Sequence, residues 1–246
     1  MSIITLELVS TTENGVELNS YVALPENATN DKPVPGILVA PEWWGIVEHP
    51  KSVVERLAKA GYAAVAMDVY GEGKLTTDAA MANMWMEQVL ADQNMLMDRC
   101  RLILNDFSDQ MAVDGDNLAA IGFCFGGKVV LDMAREGMPL KAVATFHGNL
   151  SPKQPADDKF KAKILVAHGG DDSMVSMDAV EDFKKEMDKV GADYTIDVYE
   201  NAKHGFTNPH ADERAAKNEV DLGYNEKAAK ESWDKMMDFM KANLGA

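Results

Sequence analysis

Apolar residues along the chain fall into two kinds of run. Short β-rich stretches come first as "IITLELVS" and "VELNSYVALP", joined through Asn14-Gly15, a dipeptide suited to a tight hairpin. An antiparallel start is predicted. After a polar, proline-bearing stretch at 25–35 come "GILVAP", "AAVAMDVY", "LAAIGFC", "AVATFHG", "KILVAHG" and "YTIDVYE", which lack strict alternation. Such runs suit strands buried on both faces. Between them, helical periodicity covers roughly 49–60, 76–109, 126–136, 176–190 and 225–243, while 207–224 has little periodicity and reads as a surface segment. The alternation predicts an α/β fold: a mostly parallel central sheet of about eight strands with an antiparallel N-terminal hairpin and helices on both faces. No linker or repeat divides 1–246, so a single domain is expected. In such sheets, sites gather on loops at the carboxyl ends of the strands.

Composition narrows the function classes. The formal net charge of -16 disfavours phosphate backbones and anionic lipid, so neither a nucleic acid nor a membrane is an expected partner. Two cysteines, Cys100 and Cys124, form no disulfide framework and no CxxC motif, and "MSIITLELVS" lacks the features of a secretory signal. A reducing, cytoplasmic setting is the expectation. No apolar run is long enough to cross a bilayer. The methionines at 81, 84, 86, 95 and 97, and Cys100 beside them, read as core packing on helices.

One stretch carries chemistry. In "IGFCFGGKVV" a cysteine replaces the nucleophile of a G-x-nucleophile-x-G turn: Gly122-Phe123-Cys124-Phe125-Gly126, with a strand-like run before it and a helix-like run after. A helix starting directly after the thiol would favour a thiolate there, and also the oxyanion formed when a carbonyl is attacked. The plainer reading is a tight βα turn with an inert cysteine. A dinucleotide-binding turn fits less well, because Cys124 stands where the second glycine of GxGxxG belongs.

The downstream order supports a nucleophile. In the α/β-hydrolase arrangement an acid follows the nucleophile and a histidine comes last. "KILVAHGGDDSMV" supplies Asp172, with Asp171 as reserve, and "YTIDVYENAKHGF" supplies His204. Of the other histidines, His49 opens a helix, His147 and His168 sit at strand ends, and His210 lies in the surface segment. Phe125, next to the nucleophile, would give one oxyanion amide, and Trp43 of "APEWWG" the other. The indoles of Trp43 and Trp44 are candidate pocket walls, as is Tyr70. Glu42 is a carboxylate at the end of a central strand, a costly place without a partner.

"APEWWG", "MDVYG", "GFCFGG", "GGDD" and "HGF", in this order and over most of the chain, resemble the dienelactone hydrolase family of α/β-hydrolases. The resemblance implies a Cys124, His204, Asp172 triad, backbone amides of Phe125 and Trp43 as oxyanion hole, and a Glu42 that contacts the resting thiol and modulates its ionisation. Family members acting on dienelactone hold its carboxylate with arginines, one a few residues after the histidine. Here Asn208 stands near that place, and Arg56, Arg99, Arg101, Arg135 and Arg214 offer no evident equivalent. A small neutral ester or lactone is therefore the expected substrate, with no metal and no cofactor required and a monomer or homodimer as the assembly. The rival readings are a non-catalytic small-molecule binder on the same fold and a redox-sensing thiol, which lacks a resolving cysteine.

Overall fold

The structure is a computed structural model that describes residues 1–109 and 112–245. Eight strands form one sheet in the order β1-β2-β4-β3-β5-β6-β7-β8, so β1 and β8 are its edges. The strands are β1 (Ile3–Thr11), β2 (Glu17–Pro25), β3 (Val34–Ala40), β4 (Ala63–Ala66), β5 (Val113–Phe123), β6 (Ala142–Phe146), β7 (Lys163–Gly169) and β8 (Tyr194–Tyr199). β1 runs antiparallel to β2 and β2 to β4, whereas the pairs β3–β4, β6–β7 and β7–β8 are parallel. The described residues group into two compact units, Met1–Ala120 and Ile121–Gly245, and each is taken in turn.

In the first unit the hairpin closes at Gly15, whose φ of 83° suits glycine, and Val16 donates back to the Thr12 hydroxyl at 2.9 Å. Helix α1 (Glu48–Lys59) buries Val53, Val54 and Leu57, and His49 is its second residue. The single helical segment expected over 76–109 is two helices, α2 (Ala79–Ala91) and α3 (Gln93–Ser108). The break has a local cause: Asp92 leaves helical backbone angles (φ -118°, ψ 85°) and its carboxylate accepts the Met95 amide, starting a new helix. Asp78 caps α2 in the same way through Met81. α3 packs as expected, with Met97 and Cys100 buried. α2 does not: Met81 and Met84 are 44% and 47% exposed, so core packing fails for these two. Only Ala82 and Val89 of α2 are buried.

Asp68 explains the fixed form of "MDVYG". Its buried carboxylate accepts the amides of Asn19, Gly71 and Gly73 at 2.8–2.9 Å, folding the segment after β4 against β2. Without those three donors, a charge this deep would be costly.

In the second unit α4 (Phe125–Arg135) follows β5 directly, and α5 (Met177–Val190) follows the turn after β7. α5 shows how the sequence builds its own ends: the Ser176 hydroxyl accepts the Ala179 amide, and Gly191 closes the helix in the left-handed region at φ 66°. Its buried side chains Val180, Phe183 and Met187 lie on one face, each contributing about 1.5–3 kcal/mol by leaving water. The 207–224 segment contains a short helix, α6 (Ala211–Asn218), that its weak periodicity did not announce. α7 (Glu226–Leu244) starts at the Asn225 cap and buries Ala228, Ser232, Met236, Met240 and Leu244 at fourfold spacing.

A buried charge network fixes α4 to its surroundings. Asp132 pairs with Lys128 and Arg135 at 2.9 Å each, and Arg135 forks onto both oxygens of Glu186. The remaining donors reach backbone: Lys128 to the Ser151 carbonyl and Arg135 to the Leu150 carbonyl, both at 2.8 Å. Every ion therefore has more than one partner, the condition under which buried charges persist.

Candidate active site

Cys124 is the residue between β5 and α4, with φ 54° and ψ -118°. This is a left-handed backbone position that a side chain adopts only when the surroundings enforce it. Three features enforce it. The Cys124 amide donates to the Phe146 carbonyl at 3.0 Å, and its carbonyl accepts Gly127 at 3.0 Å. A β-carbon on Gly122 would overlap the Gly126 carbonyl, so β5 and α4 meet at this angle only with glycine. A β-carbon on Gly127 would strike Thr145 and Gly148, which lets α4 lie against the end of β6. The thiol is half-buried and unpaired as a cysteine, and it stands at the N-terminus of an 11-residue helix, where the dipole favours negative charge.

Asp172 lies on the turn after β7. Its Oδ1 accepts the amides of Met174 and Val175 at 2.8 and 2.9 Å, and its Oδ2 lies 2.8 Å from Nδ1 of His204. Asp171 faces solvent. Burial pushes the Asp172 carboxyl up, but the hydrogen bond and charge of His204 and the two amides outweigh it, and the group is held below the usual carboxylate range. Gly169 permits the approach of the two turns, because a β-carbon there would meet the Ala202 carbonyl.

His204 is 3% exposed. Burial pulls its imidazole down, yet the electrostatic attraction of Cys124, the hydrogen bond to Asp172 and the polar contact with Cys124 act the other way and push it up to about 10. Nδ1 is used by Asp172, and Nε2 is buried without a well-aligned partner. Cys124, Asp172 and His204 all belong to the second unit.

Two further histidines lie around His204. The His147 ring stands edge-on to it at 5.2 Å, has a backbone φ of 41°, and binds the Thr207 hydroxyl through Nε2 at 2.8 Å. His168, at the end of β7, is buried and held below the usual imidazole range by that burial, against the attraction of Asp172. Both were placed at strand ends by the sequence, but nothing in a linear reading aims them at His204.

The first-unit candidates form their own cluster. Trp43 and Trp44 pack edge-to-face at 5.0 Å, and Trp44 is 1% exposed. Tyr70 is buried, and its hydroxyl donates to the Trp43 carbonyl at 2.9 Å. Arg99, which the sequence left without a task, donates to the carbonyls of Val69 and Tyr70 at 2.9 and 2.7 Å. Gly45 (φ 78°) completes the loop, where a β-carbon would run into the Lys74 carbonyl. The buried Glu42 carboxylate is 3.7 Å from Nδ1 of His49.

The arginines lie elsewhere: Arg99 and Arg135 are buried in the contacts described, Arg214 is buried on α6, and Arg56 and Arg101 are exposed. Asn208, beyond His204, is a buried turn-former whose side chain accepts the His210 amide at 2.9 Å. Among the described residues, no group of three or more His, Cys, Asp or Glu could hold a metal ion, and no helix is long and apolar enough to cross a membrane.

The dienelactone hydrolase family model matches residues 18–244. A Yersinia pestis protein provisionally named a carboxymethylenebutenolidase is 29% identical over 237 residues, spanning 92% of this chain and 84% of its own. A crystal structure of a dienelactone hydrolase-like promiscuous phosphotriesterase from metagenomic libraries superimposes with TM-score 0.91 at 30% identity over 99% of both chains. A dienelactone hydrolase structure, assigned as such provisionally, from Klebsiella pneumoniae gives TM-score 0.79 at 25% identity, over 98% of this chain and 99% of its own. With sheet order, elbow and family match in agreement, the chain belongs to the dienelactone hydrolase family and is an α/β-hydrolase, an enzyme of ester and lactone hydrolysis.

Proposed function

We propose that the chain hydrolyses small neutral carboxylic esters or lactones through an acyl-enzyme on Cys124. The sulfur attacks the carbonyl carbon and His204 takes the thiol proton. The carbonyl oxygen becomes an oxyanion, and the backbone amides of Phe125 and Trp43 are assigned to it. Collapse expels the alkoxide, which leaves with the proton from His204. In a lactone the alkoxide stays tethered to the acyl group. Water then gives its proton to His204 and its oxygen to the acyl carbon, releasing the acid and restoring the thiol. Asp172 fixes the imidazole through Nδ1 and stabilises its charged form in both halves.

The observation that carries this reading is the surroundings of His204: Nδ1 lies 2.8 Å from Asp172, and Cys124 is among the groups that raise its ionisation against burial. Tyr70 and Arg99 are read as supports of the Trp43 loop, and Trp44 as a wall behind it. Glu42 is assigned the restraint of the resting thiol. The neutral-substrate preference rests on the arginines, of which Arg99 and Arg135 hold backbone and carboxylates. Small molecules are the proposed partners.

The test is hydrolysis of p-nitrophenyl acetate by the purified protein and by Cys124→Ala and Cys124→Ser, with mass spectrometry of the acid-quenched reaction. An adduct of one acetyl group on the Cys124 peptide and no turnover in Cys124→Ala are expected. Full turnover in Cys124→Ala would reject the nucleophile. Binding of esters without turnover on any ester or lactone would favour the binder.

A further inference from the structure

A carboxylate far down the chain joins the two turns on which the proposed triad depends. Ser173, one residue after Asp172, donates its hydroxyl to Oδ2 of Asp221 at 2.7 Å. Lys203, one residue before His204, donates to Oδ1 of the same side chain at 2.6 Å. The segment carrying Asp221 is itself fastened to the histidine turn: Gly223 donates to the His204 carbonyl and Asn225 to the Phe206 carbonyl, both at 3.1 Å. Gly223 also leaves space for the Lys203 stem, whose Cδ would be 3.2 Å from a β-carbon there. The two turns already share backbone bonds from the Asp171 amide to the Ala202 carbonyl at 3.0 Å and from the Gly170 amide to the Tyr199 carbonyl at 2.8 Å, beside the Asp172–His204 contact itself. Asp221 adds an attachment made by a side chain from a third segment.

We propose that Asp221 is a positioning residue, which ties the Asp172 turn to the His204 turn and keeps carboxylate and imidazole in register as the imidazole gains and loses its proton. The proposal rests on the triad reading given above. An attachment from a third segment further limits how far the two turns can rock against each other. The brace is exposed, so it adds little to folding. Its effect falls on catalysis, where a small misplacement of a reacting group is costly.

The charges around the brace define its pH behaviour. Lys203 faces Asp221, and also Asp171 and Asp212, which together hold its ammonium above the usual range. Asp221 is held low by the Lys203 hydrogen bond and by Ser173, so the brace stays ionised through the neutral range. His204 faces Cys124 and Asp172, with His168 and the His147 ring beside it. Loosening Asp172 therefore weakens one of the contacts that raise His204, and its deprotonation moves to lower pH.

The test compares wild type, Asp221→Ala, Ser173→Ala and the double variant on p-nitrophenyl acetate, with Cys124→Ala as control and thermal unfolding alongside. Each single variant is expected to lower kcat by about three- to tenfold with little change in KM, and to move the alkaline limb of kcat/KM to lower pH. The double variant should lose no more than the worse single one, because both cut the same brace. Salt raised from about 0.01 M to 1 M shortens the screening length from about 30 Å to 3 Å, and should move the limb in wild type but not in Asp221→Ala. Wild-type kcat and an unmoved limb in Asp221→Ala, with Cys124→Ala inactive, would overturn the brace and leave the triad standing. An equal fall in kcat and melting temperature with an unmoved limb would also overturn it, as that marks a structural role only. Activity in Cys124→Ala would reject the triad, and the assigned role of Asp221 with it.

Discussion

Asp172 and His204, 32 positions apart, meet through a 2.8 Å contact that leaves Nε2 as the only ring nitrogen available to Cys124. The other oxygen of Asp172 is held by two amides of its own turn, so the carboxylate cannot rotate away. Asp172→Asn keeps the volume and removes the charge. It is expected to lower kcat/KM on p-nitrophenyl acetate by about 10²–10⁴-fold, with the fold intact by circular dichroism. A change below twofold would contradict the role given to Asp172.

The upward shift of His204 sets an alkaline limit. The group binds its proton more tightly in the folded enzyme than its free value, so the proton it shares with the sulfur during turnover is lost only as the pH rises towards about 10. A pH profile of kcat/KM should therefore fall on the alkaline side with an apparent midpoint belonging to the Cys124–His204 pair. In Asp172→Asn that midpoint should move down. A limb unchanged by Asp172→Asn would show that another group titrates there.

Gly127→Ala tests the close approach of α4 to the end of β6. The added methyl meets Thr145 and the Gly148 backbone, which cannot swing aside like a side chain end. A loss of about 1–3 kcal/mol in urea unfolding is expected, together with loss of esterase activity as the Cys124 turn shifts. Wild-type stability and rate would mean that the turn has slack.

Asp132→Ala leaves Lys128 and Arg135 buried with a shared partner removed. About 3–5 kcal/mol of stability should be lost, measurable by urea unfolding. Asp132, Lys128 and Arg135 replaced together by apolar residues of similar size should recover much of it. Failure of that triple variant to recover would show that the backbone contacts at Leu150 and Ser151 matter more than the ions.

Tyr70→Phe removes the hydroxyl that holds the Trp43 carbonyl. The stability cost should stay near 0.5–1.5 kcal/mol, as for one hydrogen bond. If the Trp43 amide serves the oxyanion, kcat should fall by about tenfold with KM little changed. A change confined to KM would instead place Tyr70 in substrate binding.

The strands were legible because each is a short apolar run bounded by turn residues, and all eight appear where such runs occur. The Cys124 turn was legible because the glycines at 122 and 127 are there for close approach, a cause that leaves a mark in the sequence. The break at Asp92 was not, because an aspartate within a helical pattern reads equally as an exposed polar position or as a cap. The exposed Met81 and Met84 were misjudged since hydrophobicity alone does not say which face of α2 is covered. His147, Arg99 and Asp221 act through contacts 18 to 60 residues away in the chain, and such contacts leave no local pattern.

The outer strand β8 carries a consequence of its own. It ends the sheet, and a bare sheet margin is where a foreign strand can add on and begin a fibril. Here Lys235 of α7 reaches across to Asp197 of β8, setting opposite charges along that margin. An incoming strand would have to dehydrate both before its own backbone could pair, a toll that favours staying in solution at high concentration.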